Sequence, residues 1–417
     1  MKDNILKTAV FYAVGSLIAQ VISLLSVFLF MKELTLSEFG LYGIVFECFA
    51  LLQMVVFNSF RNIYLQDFRS GDFDLDSKIF TQLTLGSFVL LLITALCTYI
   101  FKIKIELSVV LFISLFLNSL SIPIFAKFLV DNQKFILVFK DVLVALFLLA
   151  AAFFTTKFHK NFSIEVIVSI QIMVSGIISF SFFLLYFFKR SFSIKFFKFK
   201  LNMLYPLFVF LGIFFINSFY NKMAVIAFNN VGDMVFLAVY LGALKFVTPF
   251  MFVNNALVQA YIPRFMSDSF NNFNAKVFFH FFIPSLVIAL ALYCFFPLIL
   301  NILDLQKYYQ SYELVKIFSL YLISVFIYGS LSNFINVNGG QKIVLFVNII
   351  VLIIYALFLF FLVSYNIVDP KKVAAGYVFL EIFTILVYCL YLTPKVKISY
   401  FYFISPLFLW LLLFLFL

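Results

Sequence analysis

Five charged side chains stand inside long apolar runs of this 417-residue chain: Glu47, Lys222, Lys245, Lys316 and Glu381. A charge at the centre of a bilayer costs about 2.5–3.5 kcal/mol on insertion scales, so such groups face a partner or a hydrated cavity. Lys127, Asp141 and Glu313 lie nearer the ends of their runs and can snorkel to an interface. The most polar stretch within any run is Asn217-Ser218-Phe219-Tyr220-Asn221-Lys222, and the next run carries Lys245, then Asn254, Asn255 and Gln259. The two runs meet at a turn near Val231-Gly232-Asp233. Counted from that turn, Lys222 is about 9 residues deep and Lys245 about 13, which at 1.5 Å per residue leaves them within roughly 6 Å of one depth. Two ammonium groups there can draw a pyrophosphate or an acidic sugar into a cavity, with Asn217, Tyr220, Asn221 and Asn255 as further polar lining. Glu47 and Glu381 are the carboxylates that could serve a coupling ion. Each of these charges also has a plainer reading, as a snorkelling or structurally paired group.

Little else in the sequence suggests chemistry. The two histidines, His159 and His280, stand apart, and there is no nucleophile elbow, phosphate-cradling glycine loop or His/Glu cluster. No catalytic residue, metal ligand or cofactor is expected. Cys48, Cys97, Cys294 and Cys389 are isolated in apolar runs and read as small hydrophobes.

The elements that must position the polar residues are membrane helices. Hydrophobic residues make up 65% of the chain, charged ones 11%, and mean hydropathy is +1.15. Soluble domains average roughly 45–50% and 25%. The excess covers the whole chain. The runs are long enough to cross about 30 Å of hydrocarbon as helices, and they lack the alternation of a barrel strand. The predicted spans are 5–31, 39–60, 79–101, 105–130, 135–156, 164–188, 204–230, 234–262, 277–303, 313–337, 343–365 and 373–392. A further apolar run, 398–417, contains Pro406 and is a thirteenth candidate. The fold expected is an all-α integral membrane protein of 12 or 13 transmembrane helices, and the lipid bilayer is its surroundings.

The net charge of +11 reflects positive loops rather than nucleic-acid binding. With the N-terminus in the cytoplasm, cytoplasmic segments hold 18 of the 29 Lys and Arg, the opposite side 8, and three lie in spans. That asymmetry orients the chain. The loops are too short to house a catalytic extramembrane domain.

The halves resemble one another. Asp131-Asn132-Gln133-Lys134 precedes Phe135-Ile136-Leu137-Val138-Phe139, and Gly339-Gly340-Gln341-Lys342 precedes Ile343-Val344-Leu345-Phe346-Val347. Tyr42 and Asn58 of span two likewise correspond to Tyr240 and Asn255 of span eight, at nearly the same offset. That offset also places Lys245 opposite Glu47. Six spans per repeat give two pseudo-symmetric six-helix bundles related by an axis along the membrane normal, with a substrate path expected between them. The expected divisions are 1–188, a basic cytoplasmic linker 189–203, 204–392, and an additional segment 393–417. The linker alternates cations with aromatics, a composition suited to an anionic leaflet.

Three stretches carry a family resemblance: Leu36-Ser37-Glu38-Phe39-Gly40-Leu41-Tyr42; Val231-Gly232-Asp233 through Tyr240 to Lys245-Phe246; and Gln259-Ala260-Tyr261-Ile262-Pro263-Arg264-Phe265. With the span count, they resemble the Wzx-type oligosaccharide-lipid flippases of the multidrug/oligosaccharidyl-lipid/polysaccharide exporter superfamily. Many members carry an acidic residue near Asn221, where this chain has Asn followed by Lys. The resemblance implies a flippase of the bacterial inner membrane. It would carry undecaprenyl-pyrophosphate-linked oligosaccharide repeat units to the periplasmic leaflet by alternating access, for O-antigen or capsule synthesis. Its partners would be that polyprenyl-pyrophosphate-linked oligosaccharide and other polysaccharide-assembly membrane proteins, with no nucleic acid and no enzyme activity. The alternatives are a multidrug or small-molecule exporter of the same superfamily, and a membrane-embedded polysaccharide polymerase.

Overall fold

The computed structural model describes residues 2–70, 73–131, 133–158, 162–188, 204–265, 272–338 and 340–417. The predicted linker 189–203, His159, and Asn132 and Gly339 of the repeated motif lie outside the described residues. The helices are α1 (Lys2–Glu33), α2 (Leu36–Ser70), α3 (Leu75–Thr81), α4 (Ser87–Ile100), α5 (Ile105–Ser119), α6 (Ile122–Val130), α7 (Lys134–Lys157), α8 (Ile164–Phe188) and α9 (Leu204–Tyr220). They continue as α10 (Met223–Val231), α11 (Met234–Val247), α12 (Met251–Phe265), α13 (Ala275–Ile302), α14 (Ser311–Val337), α15 (Gln341–Ser364), α16 (Pro370–Leu392) and α17 (Tyr400–Phe416).

Each of the twelve predicted spans has a helical counterpart. Among the described residues, ten stretches are single spans by length and apolarity, and the pair α9 and α10 makes an eleventh, bent by 55°. The thirteenth run is α17, whose 17 residues reach about 26 Å, short of the roughly 30 Å hydrocarbon core. Several predicted spans are not simple helices. The third contains a π-helical segment, Gln82–Gly86, between α3 and α4. The fourth breaks between α5 and α6, where Pro123 starts the new helix. The eighth is interrupted by a 3-10 turn at Thr248–Phe250, where Pro249 cannot donate to the helical ladder. α2 also runs on past the predicted end of span two, to Ser70.

Helix starts follow capping chemistry. The Thr35 N–H donates to Glu38 Oε2 at 2.8 Å, and the Glu38 N–H returns to Thr35 Oγ1 at 3.3 Å. This is a capping box, so the first turn that carries part of the family resemblance has a plain structural role. Asp233, Asn274 and Asp369 each accept a backbone N–H at the start of α11, α13 and α16. Gly232, with φ of 81°, supplies the left-handed turn before Asp233.

The chain divides into two compact units, Met1–Asn229 and Asn230–Leu417. In the first, α1 packs along α7, α5 along α8, and α2 against α6, α8 and α9. The compact division falls after span seven, whereas the expected repeat boundary falls before it, because α9 packs on α2. In the second unit α14 is central, packed by α11, α12, α13, α15, α16 and α17. A two-residue parallel pairing, Asn272–Phe273 with Lys397–Ile398, ties the loop before α13 to the loop before α17. Burial and hydropathy run in opposite directions. The most apolar stretch, in α15, has a mean hydropathy of 3.1 and is 22% buried, whereas that of α14, at 1.9, is 78% buried. Apolar surface has no reason to hide from lipid, so the inner helices are the ones that can carry polar residues.

Candidate functional site

The seventh span is not the continuous 204–230 helix expected from sequence. It breaks at Asn221 and Lys222. The Asn221 side-chain amide donates to the Asn217 carbonyl at 2.8 Å, the oxygen that the next turn of helix would claim. Such side-chain competition is how Asn ends a helix. The Lys222 N–H then turns back to the Phe219 carbonyl at 2.9 Å, and α10 starts from the Lys222 carbonyl, which accepts from the Ile226 N–H at 3.2 Å. The lysine therefore sits at the elbow, and its ammonium forms an ion pair with Glu47 of α2, within the same compact unit. The Glu47 side chain is 9% exposed and that of Lys222 21%. Removing one partner of such a pair leaves the other charge uncompensated, at a cost of about 3–5 kcal/mol.

The repeat offset sets Glu47 opposite Lys245, and the structure pairs Glu47 with Lys222. Asn217 and Tyr220 lie on the last turns of α9 and are half-buried, and Asn221 is exposed. Lys245 is on the last turn of α11, in the second compact unit, and is half-buried. Asn255 is exposed on α12, whereas its neighbour Asn254 is buried and packs beside Gly329 of α14. The Asn254 Oδ1 atom has no hydrogen-bond partner among the described residues.

Glu381, the other carboxylate singled out, is 5% exposed on α16. Tyr328 is hydrogen bonded to it, and Tyr321 and Tyr388 lie within its electrostatic reach. Tyr377 packs against Tyr321 with ring centroids 5.1 Å apart and the planes tilted by 48°. The tyrosines were missed, although the spacing was there to find them. Tyr377, Glu381 and Tyr388 are separated by four and seven residues, and Tyr321 and Tyr328 by seven, so each set shares a helix face.

A second ion pair was also missed. Lys78 falls just before the predicted span 79–101, on the loop side, but it is 3% exposed inside α3 and paired with Asp67 of α2. Beside it Tyr64 donates to Gln82 Oε1 at 2.8 Å, at the start of the π-helical segment. Spacings of three (Tyr64, Asp67) and four (Lys78, Gln82) again mark the facing stripes. Lys316, the remaining intramembrane charge, pairs with Glu313 one turn earlier at 2.7 Å and lies over the Tyr312 ring. Among the described residues no three His, Cys, Asp or Glu side chains are grouped so as to hold a metal ion.

No family model and no curated protein matches the sequence. Solved structures do match the fold. The lipid II flippase MurJ in an inward closed conformation aligns with a TM-score of 0.67 at 15% identity, covering 98% of both chains. An inward-facing multidrug-resistance MATE transporter of the MOP superfamily aligns at 0.64 and 14%, covering 90% of this chain and 94% of the other. A MOP-superfamily transporter from Pyrococcus furiosus, whose reversed pocket polarity is described as suggesting a different function, aligns at 0.62 and 14%, covering 93% and 95%. The chain has the fold shared by these MOP-superfamily transporters.

Proposed function

We propose that this protein is a flippase for a lipid-linked oligosaccharide, an undecaprenyl-pyrophosphate-linked repeat unit carried from the cytoplasmic to the periplasmic leaflet of a bacterial inner membrane. The observation that carries the reading is Lys222, a partly buried lysine held at the elbow of a broken span. Sugars and pyrophosphate cannot cross hydrocarbon unaided, and an ammonium at membrane depth offers the phosphates a binding charge. Lys245 is the second proposed cation, with Asn217, Tyr220, Asn221 and Asn255 as polar contacts for the headgroup. Glu47 and Glu381 are the proposed coupling carboxylates. The basic-residue asymmetry supports a cytoplasmic N-terminus, and the repeated motifs support a two-fold related pair, 1–188 and 204–392. Other polysaccharide-assembly proteins of the same membrane are the proposed partners. No covalent step is required.

The flippase and the multidrug transporters match the fold almost equally well, so the fold alone does not choose the substrate. Lysine at the elbow weighs against a cationic drug and for an anionic headgroup. The test is Lys222→Gln with Lys245→Gln in a strain that displays a surface polysaccharide. Normal membrane abundance with lost display is expected, and display unchanged at normal abundance refutes the reading.

A further inference from the structure

We propose that Glu47 is a resident counter-ion: in the empty protein it holds the place on Lys222 that a phosphate of the headgroup takes on binding. The inference rests on the reading of Lys222 as an anion site. An unpaired lysine at this depth is costly, and a carrier must pass through an empty state in every cycle. If the only anion came from the substrate, that state would carry an uncompensated charge. Glu47 removes the problem from within the same compact unit, where α9 packs along α2.

The geometry favours exchange over a permanent structural bridge. The carboxylate is the more deeply buried partner, and the ammonium the more exposed. Glu47 sits about three turns inside α2, a continuous helix of 35 residues, and is fixed by it. Lys222 sits between two helices, at a backbone turn closed by the Phe219 carbonyl, where the chain direction changes by 55°. The mobile end of the pair is thus the cation, which is also the end an incoming phosphate can reach. Lys222 meets Glu47 at its Oε2 oxygen, and an ammonium has three donors, so a phosphate can begin to bind before Glu47 lets go. Once the phosphate has taken Lys222, the elbow is no longer tied to α2 by charge. Headgroup binding and release of that tie are one event.

The experiment is a binding titration of the full chain in detergent micelles with a polyprenyl phosphate, with the phosphate-free polyprenol as control. The variants are Glu47→Gln, Lys222→Gln and the double variant. Competition predicts that Glu47→Gln binds the phosphate on the order of tenfold more tightly than the parent, since a charged competitor is gone. Lys222→Gln and the double variant should lose most of the preference for the phosphate over the polyprenol, Lys245 keeping the remainder. If Glu47→Gln leaves affinity unchanged or weakens it while Lys222→Gln loses most of the phosphate selectivity, Glu47 is no competitor and the inference falls, with the anion site intact. If Lys222→Gln keeps full phosphate selectivity, the anion site itself is wrong and the functional reading falls with it. Should Glu47→Gln fail to fold, Glu47→Asp keeps the charge on a shorter arm. It should tighten binding severalfold, and unchanged or weaker binding overturns the inference.

Discussion

Gly176 of α8 meets Ser114 of α5 with no room to spare: a Cβ placed on the glycine would stand 2.7 Å from the Ser114 carbonyl oxygen and 2.8 Å from its hydroxyl. The Ser114 hydroxyl donates to the Ile172 carbonyl at 2.7 Å, one turn before the glycine. Small residues and a shared hydrogen bond are how membrane helices approach closely when apolar burial offers no drive.

Gly176→Ala should therefore lower thermal stability, because the obstacle is backbone and neither helix can yield alone. Overpacking costs about 1–3 kcal/mol. The melting temperature of the purified protein, followed by fluorescence in detergent, should fall by several degrees. A shift of less than a degree would mean that α5 and α8 are not packed this closely.

Gly329→Ala makes the matching control. There the nearest obstacle is the Asn254 amide nitrogen, 2.9 Å from the added carbon, at the free end of a side chain. The amide can swing aside, so the melting temperature should fall less than for Gly176→Ala. An equal or larger fall would show that Asn254 is locked in place, despite its Oδ1 having no hydrogen-bond partner among the described residues.

Much of this was legible in the sequence because lipid imposes a simple rule on backbone polarity. Long apolar runs had to be helices, and every predicted span has one. The breaks were not legible from apolarity, which does not register a helix interruption. Pro123 and Pro249 stand inside spans 105–130 and 234–262, predicted as continuous although proline breaks a helical ladder; the elbow at Lys222 needed the local competition of Asn221 for the Asn217 carbonyl. Glu47 and Lys222 were found one by one, while their pairing was not, and the buried Lys78 was missed. Glu47 and Lys222 are 175 residues apart, and no spacing rule reaches across that distance. The tyrosines around Glu381 were within reach, since helical periodicity alone places Tyr377, Glu381 and Tyr388 on one face.

The orientation prediction rests on the asymmetry of basic residues. Cysteine introduced at Ser191, in the basic linker, should be protected in intact cells from a membrane-impermeant maleimide. Cysteine at Asp369, which caps α16, should be labelled. The parent cysteines Cys48, Cys97 and Cys389 are buried; Cys294 is exposed and is first replaced by Ser. Labelling of both sites, or of Ser191→Cys alone, would reverse or dismantle the topology.

Glu381 can be tested for coupling separately from the elbow. It is buried on α16, hydrogen bonded with Tyr328 of α14, with Tyr321 and Tyr388 nearby. A carboxylate at this depth is cheaper to keep when protonated, and tyrosine hydroxyls can donate to the ionised form or accept from the neutral one. The Tyr328 hydroxyl can therefore accommodate both states, as a group that gains and loses a proton during transport requires. Glu381→Gln holds the site permanently neutral with almost the same shape. In vesicles it should lose accumulation driven by a pH gradient, by at least about tenfold, a barrier change near 1.4 kcal/mol. It should keep gradient-independent equilibration of the lipid-linked substrate between leaflets. Tyr328→Phe removes that hydroxyl and should fall between the two. If Glu381→Gln accumulates substrate like the parent, Glu381 is a structural acceptor for Tyr328 and has no part in coupling. If both accumulation and equilibration vanish while the protein remains folded, the residue serves passage of the headgroup rather than its link to a proton.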